Sequence, residues 1–175
     1  MYIATLKVNG CQFTGTLDFY TLKIIQNRLM KMDKKMTIPQ IIESISNFDM
    51  STLVILVYYS IHRISSLNED EFMHKVMTDC TDEVLLERYS KFFDYISELF
   101  RVCLPKIEES DDEFEDIPDS FADEDKDWDF SYMEYLWMSS LKRDNFWETT
   151  PKNFFEQIEI HRSLNEPKQE DVEEL

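Results

Sequence analysis

Glycine is nearly absent from this sequence, with two glycines in 175 residues. Phosphate loops and dinucleotide-binding turns need several glycines, because the backbone must approach a phosphate closely there. Histidine is also scarce, and His62, His74 and His161 stand alone, without a cysteine or an acidic residue at metal-ligand spacing. No serine or cysteine lies in a recognisable nucleophile motif. The sequence therefore predicts no enzyme, no metal site and no cofactor.

Cysteines and long apolar runs are few as well. Cys11, Cys80 and Cys103 are an odd, widely spaced set without a C-x-x-C pair, which is typical of reduced thiols in a cytosolic protein. The longest apolar run, 53–59, is far shorter than the ~20 residues that cross a bilayer. The N-terminus lacks the charged start and apolar stretch of a signal peptide. We expect a soluble, intracellular protein without membrane contact.

Basic residues are outnumbered by acidic ones, 18 against 36, which gives a net charge of −18. Residues 108–127 hold twelve acids and one lysine, and residues 166–175 hold five acids and one lysine, so the other 145 residues carry only −3. Like charges at this density repel one another, which favours an extended acidic linker over 106–126 and a polar tail over 163–175. Nucleic-acid binding is not expected, because phosphate contacts require dense lysine and arginine.

The first 105 residues combine a hairpin signal with helical periodicity. Asn9-Gly10 separates two alternating runs, which predicts a β-hairpin because both turn positions need positive φ. After Asp18 the apolar residues Phe19, Leu22, Ile25, Leu29 and Met32 recur at helical spacing. Further helices are expected to start at Thr37, near Asp49 or Ser51, at Asn68, and at Thr81 or Asp82, the last ending before Pro105. The expected fold is α+β and mostly helical, a β-hairpin packed on a four- or five-helix domain.

Aromatic residues are abundant between 127 and 155, where nine occur in 29 residues against 14% in the whole chain. All three tryptophans lie in this stretch. Three helix-start signals accompany them: Ser131 with Glu134 and Asn145 with Glu148 in capping-box spacing, and Thr150 before Pro151. We expect two short helices joined by a tight aromatic turn. Together they form a small helical unit over 127–162, called the aromatic module below.

Two patterns in the aromatic module carry a resemblance: W-D-F-x-Y-x-x-Y-L from Trp128 and F-W-x-x-T-P-x-x-F-F from Phe146. They resemble the C-terminal module of the tail assembly chaperones of long-tailed bacteriophages. In that family a G-type domain is often joined to a T-type extension by a programmed translational frameshift. The resemblance covers about a fifth of the chain. The rest agrees in layout, with a G-like hairpin-plus-helix domain over 1–105 followed by an acidic linker.

The resemblance implies a chaperone that keeps the tape-measure protein soluble and recruits tail-tube subunits for tube polymerisation. Such a chaperone is absent from the mature virion. The G-like domain would bind the tape-measure protein, and the T-like aromatic module would bind the major tail-tube protein. Self-association is compatible with this role. The place of action would be the host bacterial cytoplasm, with neither nucleic acid nor membrane as a partner.

About 35 residues cannot enclose nine aromatic side chains, because so small a unit has little interior. The surplus must face the first domain or another protein, and Trp and Tyr are favoured interface anchors. We expect Tyr135, Leu136, Leu141 and Phe155 in the core of the module, and Trp128, Phe130, Phe146 and Trp147, which flank the helices, as its best partner contacts. The full predicted partner-binding set is Trp128, Phe130, Tyr132, Tyr135, Trp137, Phe146, Trp147, Thr150, Pro151, Phe154 and Phe155.

A calcium loop is one alternative interpretation of the acidic run. Asp123, Asp125, Asp127 and Glu134 fall at positions 1, 3, 5 and 12 of such a loop. Its sixth position is Trp128, however, where the sharp turn requires glycine. We interpret the match as chance in an acidic stretch.

A second alternative is an acidic decoy that occupies a DNA-binding protein by mimicking the phosphate backbone. The charge of −11 over 108–127 motivates it. Mimicry needs charges held on a rigid surface, and Pro118 interrupts this run. The simpler interpretation is that the run separates and solubilises two binding units. Salt dependence distinguishes the two, because binding by charge falls steeply with salt.

Overall fold

A computed structural model describes residues 2–78, 80–105 and 126–165. These residues form a two-stranded antiparallel sheet, seven α-helices and a short 3-10 helix. In chain order they are β1 (Ala4–Val8), β2 (Cys11–Gly15), α1 (Phe19–Lys31), α2 (Ile38–Ser46), α3 (Met50–Ser65), α4 (Glu69–Met77), α5 (Asp82–Cys103), α6 (Phe130–Ser139), the 3-10 helix (Phe146–Glu148) and α7 (Pro151–Asn165). The predicted α+β, mostly helical fold with an N-terminal hairpin is confirmed.

The hairpin forms at the predicted Asn9-Gly10 turn. Both residues have positive φ, 49° and 70°, as a two-residue turn between twisted strands requires. The strands pair in register from Val8 opposite Cys11 to Ala4 opposite Gly15. Alternate residues of β1 are buried, so one face of the sheet lies on the helices.

The helix starts of the first 105 residues also match the sequence signals. Thr37 and Gln40 form the full capping box, and Asp49, Asn68 and Thr81 each accept a backbone hydrogen bond at the start of a helix. Met32 is an exception on the expected apolar stripe. Because α1 ends at Lys31, Met32 is its C-cap and lies exposed.

The hairpin packs on α3 and α5 and is tied to them by hydrogen bonds. The Thr16 N–H donates to the Ser60 carbonyl over 3.1 Å, and the Ser60 and Tyr95 hydroxyls are 2.9 Å apart. Gly15 lies against this pair, and a Cβ added there would come within 2.8 Å of the Ser60 carbonyl. Burial raises the pKa of the Tyr95 phenol, which stays protonated.

The turn end of the hairpin is held by α4 and α5. Asn9 donates from its side chain to the Lys75 carbonyl over 2.8 Å. Arg88 is buried and donates to the carbonyls of Val76 and Thr78, over 2.5 and 2.9 Å, at the C-terminal end of α4. A helix C-terminus favours a cation. The Arg88 charge is therefore stabilised inside the core by the carbonyl groups at the end of α4.

The aromatic module contains two helices separated by a turn, as predicted, but two of its caps differ. The N-cap of α6 is Asp129, whose carboxylate accepts from the Tyr132 N–H over 3.0 Å, so the prediction of Ser131 was wrong. Asn145 makes no side-chain cap, and the residues after it form the 3-10 helix instead of an α-helix. Thr150 and Pro151 do start α7, with the Thr150 hydroxyl 3.4 Å from the Asn153 N–H.

Most of the predicted acidic linker, residues 106–125, and most of the tail, 166–175, lie outside the described residues. In the part that is described, no single helix has the length and apolar character to cross a membrane. The pair α2 and α3 meets those two criteria together, across a bend of 116°.

Candidate interaction surface

The aromatic module is docked on the first turn of α1 through Phe19. The Phe19 ring is fully buried and is surrounded by four rings of the module. It stacks on Phe146 at 4.5 Å between ring centroids and meets the edges of Phe130, Phe154 and Trp128 at 5.8, 5.7 and 6.1 Å. Such pairs add about 0.5–1.5 kcal/mol each beyond their burial. Phe19 is therefore the centre of a core shared by both parts of the chain.

Polar contacts fix the position of this core at two points. The Phe19 N–H donates to the Thr149 carbonyl over 3.0 Å. Asp127 accepts from the Gln26 amide over 2.6 Å and from the Ile38 N–H, at the start of α2, over 2.9 Å. A carboxylate is favoured at a helix N-terminus, so Asp127 joins the module to both α1 and α2.

An ion pair between a buried carboxylate and a partly exposed arginine lies beside Phe19. The Asp18 carboxylate caps α1 by accepting from the Thr21 N–H and accepts from Arg63 Nε over 2.8 Å. The same guanidinium lies 3.9 Å from the Glu148 carboxylate in the 3-10 helix. Arg63 thus links α3, the start of α1 and the aromatic module.

Three of the four residues expected to be the best partner contacts are buried in this shared core. Trp128, Phe130 and Phe146 are below a tenth exposed, and Trp147 is half-buried with its indole N–H on Glu134 at 2.9 Å. Of the two expected alternatives, the first domain or another protein, these three side chains face the first domain. Part of the surplus aromatic area of the module is covered by Phe19 of α1 in the same chain.

The remaining predicted residues divide between the interior and the surface. Trp137 and Phe154 are buried and stacked at 5.9 Å, and the Trp137 indole donates to the Asp144 carbonyl over 2.9 Å. Thr150 and Pro151 are buried at the start of α7, and Phe155 is half-buried. The stacked rings of Trp137 and Phe154 hold α6 and α7 together.

One face of α6 remains uncovered by the described residues. Tyr132, Tyr135 and Met138 are 55%, 63% and 57% exposed and make up what we call the α6 face. The expectation that Tyr135 lies in the core of the module was wrong, because Met133 and Trp137 turn the opposite side of α6 inward. The one charged residue of this helix, Glu134, bonds to Trp147. The α6 face is therefore aromatic and uncharged, which is typical of interface anchors.

Met138 was not among the predicted partner-binding residues. The available signal was its spacing, since positions 132, 135 and 138 recur at i, i+3 and i+6 and share one side of a helix. The same helix carries apolar residues on its buried side too. Spacing alone therefore does not separate the buried face from the exposed one.

Asp127, Glu134 and Cys103, which carry metal-ligating or nucleophilic groups, bond to other groups of the chain. Within 2–78, 80–105 and 126–165, no cluster of three His, Cys, Asp or Glu side chains could hold a metal ion. Asp127 and Glu134 of the calcium-loop pattern bond to protein groups, while Asp123 and Asp125 lie outside the described residues. Burial raises the pKa of the Cys103 thiol to about 11, which makes it a poor nucleophile at neutral pH.

Comparison of the chain with protein-family models, with curated proteins and with solved structures found no match.

Proposed function

We propose that this protein is a non-catalytic binding protein, a tail assembly chaperone of a long-tailed phage that holds the tape-measure protein and recruits tail-tube subunits. The proposal starts from the sequence resemblance of residues 127–162. The observation that carries the recruiting role is the α6 face, an aromatic and uncharged surface on a helix whose other side is anchored to α1.

The chemistry of the α6 face suits a reversible contact. Tyr132 and Tyr135 each have a large ring and a hydroxyl group. The rings can bury apolar area against a partner, and the hydroxyl groups can hydrogen-bond to water after the partner dissociates. A surface of three side chains is small compared with the roughly 800 Å² that each partner buries in a stable complex. A transient contact is what a protein absent from the finished particle requires.

Docking of the module on α1 gives this face a fixed position. The Phe19 core and the Asp127 contacts hold α6 against the helical domain. A tape-measure segment bound to the first domain and a tube subunit bound to the α6 face would therefore be held at a defined separation. Presenting two partners in this way raises the effective concentration of one for the other.

The test is co-expression with the long coiled-coil protein encoded nearby and the candidate tube subunit, followed by pull-down on the full chain. The double variant Tyr132→Ser/Tyr135→Ser should retain less than about a tenth of the tube subunit, because hot-spot truncations cost 2 kcal/mol or more. The coiled-coil protein should remain soluble. Leu164→Ser, at a still more exposed apolar position near the end of α7, is the control and should change neither result.

Retention of the tube subunit by the double variant would overturn the assigned role of the α6 face. Repeating the pull-down at low and high salt separates this proposal from a decoy. Aromatic docking should persist at high salt, whereas capture of a basic DNA-binding protein by charge mimicry should collapse.

A further inference from the structure

Two helix ends meet at the far end of α1 from Phe19. Helix α1 stops with Asp33 at φ 58°, and α2 stops with Phe48 at φ 58°. Lys34 lies just after the end of α1, and Asp49 and Ser51 lie just after the end of α2. Lys34 Nζ donates to the Asp49 carboxylate over 2.6 Å and to the Ser51 hydroxyl over 2.5 Å. The two ends are therefore held side by side.

Four large apolar side chains stand exposed around this junction. Met30 and Met32 are 52% and 46% exposed at the end of α1, and Phe48 and Met50 are 69% and 38% exposed at the corner between α2 and α3. We call these four residues the methionine corner. Met32 lies two residues before Lys34, and Phe48 and Met50 flank Asp49. The Lys34–Asp49 pair therefore brings exposed apolar residues of both helix ends to the same junction.

Phe48 combines an unfavourable backbone conformation with an exposed aromatic ring. It follows α2 in the left-handed conformation, a position that favours glycine because a Cβ is disfavoured there. Its ring meets the edge of Phe93 at 5.5 Å between centroids, yet most of the ring faces solvent. Backbone strain that supports an exposed aromatic ring points to a contact made outside the chain.

Positive charge borders the corner on the side of α1. Residues 28–36 carry four basic residues and one acid in a chain of net charge −18. Arg28 and Lys34 are paired with Glu69 and Asp49, while Lys31 and Lys35 are exposed and make no ion pair within the described residues. These two lysines are available to a partner.

We propose that the methionine corner binds an amphipathic protein helix whose apolar stripe is bordered on one edge by Asp or Glu. Methionine side chains are flexible and polarisable, so they adapt to different apolar surfaces. The apolar stripe would cover Met30, Met32 and Phe48, and the acidic edge would face Lys31 and Lys35. The inference concerns a different surface from the α6 face and holds whether or not the chain serves a phage tail.

A protein helix fits this site better than an anionic membrane or a nucleic acid. Membranes and nucleic acids present dense arrays of negative charge and are bound by dense lysine and arginine. In the described chain Arg28 and Lys34 are already paired at this corner, which leaves Lys31 and Lys35. One or two carboxylates on a helix match these two lysines in number. Binding of the chain to anionic lipid vesicles is measured as the competing possibility.

The experiment measures binding of the full chain to two labelled helical peptides of about 20 residues by fluorescence anisotropy. Both peptides carry a leucine stripe, bordered on one edge by Glu in the first and by Lys in the second. We expect the Glu peptide to bind about tenfold tighter than the Lys peptide, and the double variant Lys31→Glu/Lys35→Glu to reverse this preference. Phe48→Gly should weaken binding of the Glu peptide about tenfold.

Phe48→Gly also provides its own folding control, because glycine suits the left-handed conformation and the variant should keep its thermal midpoint. Leu164→Ser should bind the Glu peptide as the parent chain does. Absence of Glu-peptide binding, equal binding of the two peptides, or unchanged binding by Phe48→Gly would each overturn the proposal. Binding to phosphatidylserine vesicles that Phe48→Gly abolishes, without Glu-peptide binding, would assign the corner to a membrane surface instead.

Discussion

Gly15 has no side chain, and its absence allows the hairpin to pack closely against α3 and α5. Its Cα lies where the Ser60 carbonyl and the Tyr95 hydroxyl meet, with no room for a methyl group. Gly15→Ala should destabilise the fold by about 3 kcal/mol, because the clash involves backbone and a buried ring rather than the end of a flexible chain. Urea denaturation followed by circular dichroism measures this loss.

The double variant Gly15→Ala/Tyr95→Phe tests where the clash lies. Removing the phenolic oxygen should recover part of the lost stability, since the Ser60 carbonyl still lies 2.8 Å from the new methyl group. Full recovery would show that the tyrosine hydroxyl alone excludes a side chain at this position.

The contribution of Asp49 to the stability of the fold depends on pH. Burial acts to raise its pKa, but the hydrogen bonds from Lys34, Ser51 and Thr52 outweigh burial and hold the pKa well below its usual range. The stability that this carboxylate contributes is therefore present above its unfolded pKa, about 3.9, and is lost as the pH falls below that value.

Asp49→Asn isolates this charge, because asparagine is an equally good N-cap. We expect the variant to be less stable by below about 1 kcal/mol at pH 7, the size of a partly exposed ion pair. The difference should shrink below about pH 4. Thermal melts from pH 2 to pH 7 would reveal it, with Asp33→Asn, an exposed acid without an ion pair in the described chain, as the control. A constant difference across this range would contradict the assignment.

At the scale of elements, local signals predicted where most helices begin, because a cap bonds to groups within its own turn. Thr37, Asn68 and Thr150 are of this kind. The orientation of α6 was not predictable in the same way. Its residues are apolar on both sides, and burial of Phe130 in preference to Tyr135 is decided by Phe19, which lies more than a hundred residues earlier.

The docking of α6 and α7 depends most on Phe19. Phe19→Ala should cost roughly 3–5 kcal/mol by leaving a cavity between four rings. It should release the aromatic module first. Tryptophan fluorescence, which reports only on that module, should then change at lower urea than the circular dichroism of the remaining helices.

Tyr20→Ala is the neighbouring control, because Tyr20 is about half exposed and its ring contacts the Arg63 guanidinium rather than the shared core. It should leave the fluorescence and circular dichroism transitions coincident. If Phe19→Ala also kept them coincident, the module and the helical domain would form one cooperative unit even without this ring.

At the scale of the whole molecule, the hairpin-plus-helix layout and mostly helical composition were predictable, because periodicity and turn residues act within short segments. The exposed corner at Phe48 was not. Nothing in the sequence around Asn47 and Phe48 shows that an aromatic residue occupies a position suited to glycine. That position depends on how α2 meets α3.

The separation of Phe19 from its partners has a consequence for synthesis. Phe154 follows it by 135 residues, so at about 5–20 residues per second the nascent chain carries an uncovered ring for roughly 7–27 s. During that interval the exposed Phe19 ring can be bound by chaperones that act on nascent chains. Once residues 127–162 have been synthesised, the aromatic module packs on Phe19 and closes this binding site.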